Sequence, residues 1–223
     1  MSRIKIAIQG ELGAYSHIAA ERVYKGAEIK TCSTFEETFK QAYNDPDYKI
    51  VIPIENSLAG RVADIHYLFP KYKLQIHGEY FLPVEHNLLG KLDASIDDIK
   101  FVRSHAQAIS QCQNIISKKK FKPIISVDTA GSAKDLAEGT DKSIAAIASD
   151  LSAKMYNLKI LEKNIEDEKG NVTRFLIMGK NIEQPEYENN KKFITSCIFR
   201  VKSEPSALYK CLGGFATNQV NLT

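Results

Sequence analysis

Short apolar runs alternate with longer amphipathic stretches along the first half of the chain. Residues 4–8 (IKIAI) and 50–54 (IVIPI) are too short for helices and too apolar for a half-exposed sheet, so they predict buried strands. Between them, residues 16–24 and 34–43 place apolar side chains three and four positions apart, which predicts two helices flanking a short strand at 29–32. The same alternation resumes near residue 79, with strands expected at 80–89, 101–103, 124–127 and 144–148 and helices at 105–118, 129–138 and 149–156. An extended stretch at 159–165, a charged turn at 166–170 and an apolar strand at 173–178 follow. This is an α/β pattern with parallel sheets. Two α/β lobes whose chain crosses between them twice, near 78–83 and 167–173, predict a cleft at the crossover, where ligands of such folds sit.

The polar run 180–190 predicts a linker. Beyond it, 192–201 reads as a strand, 206–217 as a helix and 220–223 as a strand that stops at once, too little for a domain of ordinary size. The expected division is therefore 1–180 (one lobe about 1–78 plus 168–180, the other about 79–167), a linker at 181–191, and a tail at 192–223.

Hydrophobic residues make up 43% and charged residues 26% of the 223, ordinary globular usage that excludes a disordered or fibrous chain. The net charge of +3 is too mild to imply nucleic acid, and a small anionic ligand remains compatible. No apolar run approaches the roughly 20 residues of a membrane span, and the start runs straight into a strand instead of a secretory segment, so the expected setting is the cytoplasm. Four widely spaced cysteines without a CxxC pair predict reduced, mostly buried thiols and no zinc site.

Five segments could carry chemistry. In GELGAYS (10–16), two glycines between a strand and a helix let backbone approach a ligand, and Ser16 could cap the helix, although a plain tight turn would look alike. In PIENSLAG (53–60), a buried strand ends in an acid, an amide and a hydroxyl at its carboxyl end, the ligand side of a parallel sheet; a capped turn is the competing reading. In SHAQAISQC (104–112), Ser104, Gln107 and Gln111 fall on one helical stripe bordering the apolar one, as in a pocket wall or a surface helix; His105 alone is more often structural. In DTAGSA (128–133), Asp128 and Thr129 open a helix that could hold a carboxylate or simply be capped. In NVTRF (171–175), Arg174 offers a planar fork suited to a carboxylate.

Taken in order, these five segments resemble the successive signatures of the prephenate dehydratase family, from residue 10 to residue 175. The resemblance implies a two-lobed fold similar to type II periplasmic binding proteins, with the active site in the interlobe cleft. It implies decarboxylative dehydration of prephenate to phenylpyruvate, with no cofactor and no metal. The family's catalytic threonine falls on Thr173, with Arg174 and Phe175 beside it; Glu55 and Asn56 match its acid and amide, and Ser104 and Gln111 its serine and glutamine. Ala106 and Ala14 depart from a proline and a common threonine of the family.

On that basis Thr173, Glu55, Asn56 and Gln111 are expected to be catalytic. Substrate contacts are expected from Tyr15, Ser16, Ser57, Gly60, Ser104, His105, Gln107, Thr129, Arg174 and Phe175. Thr173 would donate to the departing hydroxyl, and Glu55 would relay a proton if burial raised its pKa. Arg174 would pair with a substrate carboxylate, or instead brace the cleft through Glu55 or a backbone carbonyl.

The tail resembles the beginning of an incomplete α+β ACT regulatory domain, with Ser206, Ala207, Leu208 and Tyr209 at its regulatory motif and the following ESRP motif missing. Phenylalanine would then be an effector whose site is incomplete, and the chain a homodimer or homotetramer that is truncated or part of something longer. Two other functions fit the residues: dehydration of arogenate, the amino-acid analogue of prephenate, and a non-catalytic amino-acid sensor.

Overall fold

A computed structural model describes residues 3–181, 186, 188–191 and 193–222. The chain divides into two bodies, Met1–Gln184 and Pro185–Thr223.

The first body holds two mixed α/β lobes. In lobe one, β1 (Lys5–Gln9), β2 (Glu28–Cys32) and β3 (Tyr48–Asn56) are parallel, linked by α1 (Tyr15–Val23) and α2 (Phe35–Asn44). The short β4 (Gly60–Arg61) folds back on β3, and α3 (Leu68–Tyr72) leads to β5 (Gln75–Pro83). The apolar runs sit where a sheet covered on both sides needs them. Ala7, Ile50 and Ile52 face Phe39, Leu68 and Tyr72 on one side, and Ile6, Ile8 and Val51 face Ala19 and Ala20 on the other. Helix α2 starts at Thr34, whose side chain accepts the Glu37 N–H at 3.0 Å while the Glu37 carboxylate accepts the Ser33 N–H at 2.8 Å. Both ends of the first turn are thereby satisfied.

Lobe two carries β6 (Asn87–Gly90), β7 (Phe101–His105), α4 (Ala106–Ser110), α5 (Gln113–Lys119), β8 (Lys122–Ser126), α6 (Thr129–Glu138), β9 (Ile144–Ala148), α7 (Asp150–Met155) and β10 (Lys159–Glu162), in the sheet order β10-β6-β9-β7-β8. The chain then returns to lobe one as β11 (Val172–Gly179), which inserts antiparallel between β3 and β5 to complete the order β2-β1-β3-β11-β5. That insertion brings the two halves of the sequence side by side.

Three expectations need correction. The first crossing lies at residues 84–86, because β5 remains hydrogen-bonded to β11 through Pro83; the irregularity near Gly78 is a register shift opposite Ile177 and Met178, not a departure from the sheet. The strand expected at 80–89 is accordingly two strands in two sheets. The single helix expected at 105–118 is broken: Ser104 and His105 belong to β7, and Gln111 and Cys112 separate α4 from α5. The one-stripe arrangement of Ser104, Gln107 and Gln111 therefore does not exist.

In the second body, α8 (Ala207–Thr217) forms where a helix was expected. Residues 193–201 and 220–222 form no strand, since a strand exists only in a hydrogen-bonded ladder and none is offered to them among the described residues. Lys192, Thr223 and linker residues 182–185 and 187 lie outside the described residues. Ser206, Ala207, Leu208 and Tyr209 open α8, with Leu208 and Tyr209 exposed. Cys32 and Cys112 are buried thiols, while Cys197 is exposed and Cys211 half-buried, so burial extends to two of the four. No helix among the described residues is long and apolar enough to cross a membrane.

Candidate active site

Strand register decides which signature residues meet. Residues directly opposite in a sheet point to the same side. Along most of the β3–β11 ladder the pairing runs Met178–Ile50 to Phe175–Pro53, and continued without interruption it would set Glu55 against Thr173. A bulge at Ile54 adds one residue to β3, so Asn56 faces Thr173 and Glu55 faces Arg174. Asn56 and Thr173 are buried, at 7% and 9% exposure, whereas Glu55 is exposed. The bulge thus exchanges an acid for an amide at the threonine.

A chain of hydrogen bonds starts at that amide, and its directions can be worked out. Asn56 Oδ1 accepts the backbone N–H groups of Leu58 (3.1 Å) and Ala59 (2.9 Å), with Gln107 Nε2 at 3.4 Å. Backbone N–H groups only donate, so the Asn56 amide cannot be flipped. Its Nδ2 therefore donates to Thr173 Oγ1 (2.9 Å) and to Asn171 Oδ1 (2.6 Å). Asn171 Nδ2 then donates to Gln111 Oε1 (3.1 Å), which also lies 2.9 Å from His86 Nε2. On its other side, His86 Nδ1 is 2.9 Å from the Tyr15 hydroxyl, which donates to Glu85 O at 2.7 Å. Thr173 uses its oxygen as an acceptor and donates its hydrogen to no group among the described residues.

This arrangement draws on sequence segments singled out above, and comparison with known proteins gives them an owner. The sequence model of the prephenate dehydratase family matches residues 6–183. The chain belongs to the prephenate dehydratase family. It is 39% identical over 222 residues to "Arogenate dehydratase/prephenate dehydratase 2, chloroplastic" of Arabidopsis thaliana, covering 100% of this chain but 58% of that relative. It is also 39% identical over 221 residues to a "Bifunctional N-acyl-homoserine lactone acylase/prephenate dehydratase" of Komagataeibacter europaeus, covering 98% and 77%. Among solved structures, the prephenate dehydratase of Staphylococcus aureus superposes with a TM-score of 0.75 at 27% identity, covering 98% of this chain and 81% of that one.

Of the family signatures, PIEN, QC and NVTRF meet in the hydrogen-bonded chain through Asn56, Gln111, Asn171 and Thr173. Others lie apart from it. Arg174 points to the opposite side of the sheet, where its Nε and Nη2 reach Glu79 Oε2 at 2.7 and 2.6 Å and its guanidinium lies 5.8 Å from the Phe81 ring centre. Its partner is thus Glu79, not Glu55. Glu55 is exposed, on the side of the sheet away from Thr173. Phe175 is 1% exposed in the lobe-one core. Ser104, fully buried, donates to Ile147 O at 2.6 Å and ties β7 to β9. His105 caps α4 by accepting the Gln107 N–H. Asp128, not Thr129, caps α6, accepting the Gly131 N–H at 2.6 Å; that carboxylate disfavours a second anion there. Gly60 turns β3 into β4 in the exposed end of PIENSLAG.

The GELGAYS loop closes on lobe two. Gly13 has φ +92°, and its carbonyl accepts from Ser149 Oγ (2.7 Å) and Ser152 Oγ (3.0 Å). A Cβ here would stand 2.9 Å from Ser152 Cα, so this glycine serves lobe-to-lobe packing. Ser16 is the second residue of α1 and does not cap it; the cap position is Ala14, and the Gly13 N–H donates to His17 Nδ1 at 3.0 Å.

The charged turn 166–170, where the second crossing was expected, anchors Asn171. Asp167 accepts the Gln113 and Asn114 N–H groups at 2.7 and 2.9 Å, capping α5 from a distance, and its own N–H donates to Gln111 O at 2.7 Å. Glu166 Oε2 accepts the His86 N–H at 3.0 Å. Ser57 completes the clamp: its Oγ accepts the Val172 N–H at 2.9 Å and its N–H donates to Val172 O. The break between α4 and α5 goes with this cap, since in a continuous helix the Gln113 and Asn114 N–H groups would instead bond the carbonyls of Ile109 and Ser110. Sequence reasoning also missed His86, which carries no motif and falls inside the single strand expected at 80–89.

Burial lowers the His86 pKa below its ordinary value, opposed by Gln111 and the Glu166 carboxylate, so the ring is neutral near pH 7. Burial also pushes the Tyr15 phenol well above its usual value and raises the Cys112 thiol, leaving both protonated. No group of three or more His, Cys, Asp or Glu among the described residues could hold a metal ion.

Proposed function

We propose that this chain converts prephenate to phenylpyruvate by coupled loss of carbon dioxide and water, with Thr173 as hydrogen-bond donor to the departing hydroxyl. The observation that carries this reading is the direction of the Asn56–Thr173 bond: with Thr173 Oγ1 accepting from Asn56, its own hydrogen is uncommitted. Prephenate holds its own electron sink. Breaking the bond to the ring carboxylate sends an electron pair through the diene, expels the C4 hydroxyl and leaves an aromatic ring. Negative charge builds on the leaving oxygen, and a preoriented donor in a site shielded from water stabilises it.

A hydroxyl is a poor acid, so Thr173 stabilises the departing oxygen by hydrogen bonding, and the proton that completes water comes from solvent. Gln107 and the uncapped start of α1, at Tyr15 and Ser16, supply further polar contacts to the substrate. Arg174, paired with Glu79, stiffens β11 against β5 instead of reaching the substrate.

The chain spans 58% of the length of the Arabidopsis relative, whose printed name includes both arogenate and prephenate dehydratase. That name supports arogenate as a second substrate, since both compounds present the same ring to Thr173. The segment 192–223 is read as the opening of an ACT regulatory domain with phenylalanine as effector, in a cytoplasmic homodimer or homotetramer. The test is a cofactor-free assay of the purified chain with prephenate and, separately, arogenate, beside Thr173→Ala and Thr173→Ser. Turnover that Ala abolishes and Ser largely keeps supports the donor role; a faster rate with arogenate renames the substrate. Folded protein active on neither substrate refutes the reading.

A further inference from the structure

We infer that His86 is a positioning residue at the far end of a hydrogen-bond chain of fixed polarity, held as the Nε2–H tautomer and acting on Thr173 through Gln111, Asn171 and Asn56. The inference rests on the proposed reaction for its kinetic part and on geometry alone for its structural part.

Each link fixes the next. The Leu58 and Ala59 N–H groups set the Asn56 amide; Asn56 Nδ2 sets Asn171 Oδ1 as acceptor; Asn171 Nδ2 sets Gln111 Oε1 as acceptor. An acceptor oxygen 2.9 Å from His86 Nε2 demands a hydrogen on that nitrogen. In the neutral ring, Nδ1 is then bare and competes with Glu85 O for the single hydrogen of the Tyr15 hydroxyl. The chain spans both crossings between the lobes: His86 lies on residues 84–86 and Asn171 just before β11. His86 is 3% exposed and Asn171 also 3%, so neither has water to replace a lost partner.

What His86 does follows from Gln111. That side chain projects from the C-terminal end of the short α4 and carries Asn171 on one side of Oε1 and His86 on the other. Without the His86 donor, Gln111 Oε1 keeps Asn171 alone and Asn171 rests on a less fixed acceptor; the Asn56 amide keeps its direction from Leu58 and Ala59, but the Asn171 contact that helps place its Nδ2 beside Thr173 loosens. The expected deficit is in turnover, because the network orients the group that acts in the transition state.

One isosteric change tests direction. In Asn171→Asp the group facing Gln111 becomes an acceptor, so Gln111 must turn its Nε2 toward both neighbours. His86 Nε2 must then accept, the ring must switch to the Nδ1–H tautomer donating to Tyr15 oxygen, and the Tyr15 hydrogen goes wholly to Glu85 O. The contacts from Asn56 to Glu85 stay paired, but the tautomer inverts.

The experiment is nitrogen NMR of the ¹⁵N-histidine-labelled full chain without substrate. The chain has five histidines, and the His86 signals are assigned by their loss in His86→Gln. A protonated Nε2 with a bare Nδ1 in the unmodified chain, reversed in Asn171→Asp, is the expected result. The opposite tautomer in the unmodified chain, or no reversal in Asn171→Asp, overturns the fixed polarity.

Kinetics then test positioning. His86→Leu should lower kcat about ten- to a hundredfold with KM nearly unchanged, and His86→Gln, whose amide offers a donor near the lost Nε2–H, should recover most of that loss. Equal loss in both variants, or a change confined to KM, overturns the positioning role. If the unmodified chain turns over neither prephenate nor arogenate, the proposed reaction fails, while the tautomer result still decides the polarity.

Discussion

Replacing Asn56 by Asp tests the reading of Thr173 with almost no change of shape. In Asn56→Asp one carboxylate oxygen keeps the Leu58 and Ala59 N–H bonds, and the other replaces Nδ2 at 2.6 Å from Asn171 Oδ1 and 2.9 Å from Thr173 Oγ1. Asn171 can flip to donate, but Thr173 can satisfy a carboxylate only by giving up its own hydrogen. The donor to the leaving hydroxyl is thereby turned away. Loss of one donor aimed at a developing oxyanion costs about 3 kcal/mol, or roughly a hundredfold or more in kcat. A buried negative charge facing a dianionic substrate should also raise KM. Protonation of the new carboxyl restores a donor, so the variant's relative activity should climb as pH falls, a trend absent in the unmodified chain. The assay is phenylpyruvate formation under saturating prephenate, with circular dichroism confirming the fold. A folded Asn56→Asp protein with kcat within about threefold of the unmodified chain would refute the donor assignment.

Gly13→Ala should lower stability by about 2–4 kcal/mol, combining a left-handed φ of +92° with a Cβ 2.7 Å from Ser152 Oγ, as measured by urea unfolding; a loss under about 0.5 kcal/mol would mean that the loop is not pinned between the lobes. Acid should destabilise the protein before its carboxylates titrate. Burial lowers the pKa of His86, and also of His17 and His77, below the ordinary 6.5, so the unfolded state binds protons first as pH drops through that value. This contribution is complete above pH 6.5 and is lost below it, with His86 alone giving a slope of up to about 1.4 kcal/mol per pH unit. Urea midpoints that stay level between pH 7 and pH 5 would contradict it.

The apolar runs made the sheets and most helices legible, since IKIAI and IVIPI have few other places to go. Register was not legible. Nothing in PIENSLAG announces the bulge at Ile54, yet that single inserted residue decides whether Glu55 or Asn56 faces Thr173. The break in the expected helix at 105–118 was hidden for a related reason: the cap that goes with it, Asp167, lies more than fifty residues away and acts only once β11 has returned to lobe one. Motif resemblance gathered Asn56, Gln111 and Thr173 without saying what joins them. The joint is Asn171 and His86, and a buried histidine held by side chains from both lobes leaves no periodic trace in sequence.

For the proposed reaction, a threonine surrounded by amides instead of acids makes sense. The substrate brings its own electron flow, so the site needs a donor aimed at one oxygen more than it needs a strong acid. Amides fix direction without titrating. Asn56, Asn171 and Gln111 hold the same polarity at any pH where the fold persists, and the backbone N–H groups that start the chain cannot be reversed. His86, the one titratable member of the chain between Tyr15 and Thr173, donates from Nε2 whether neutral or protonated, so gaining a proton leaves the direction at Gln111 intact. Glu55 in place of Asn56 would have brought both a charge to repel the substrate and an acceptor to capture the Thr173 hydrogen. The bulge at Ile54 keeps that acid on the other face of the sheet, where its charge meets water.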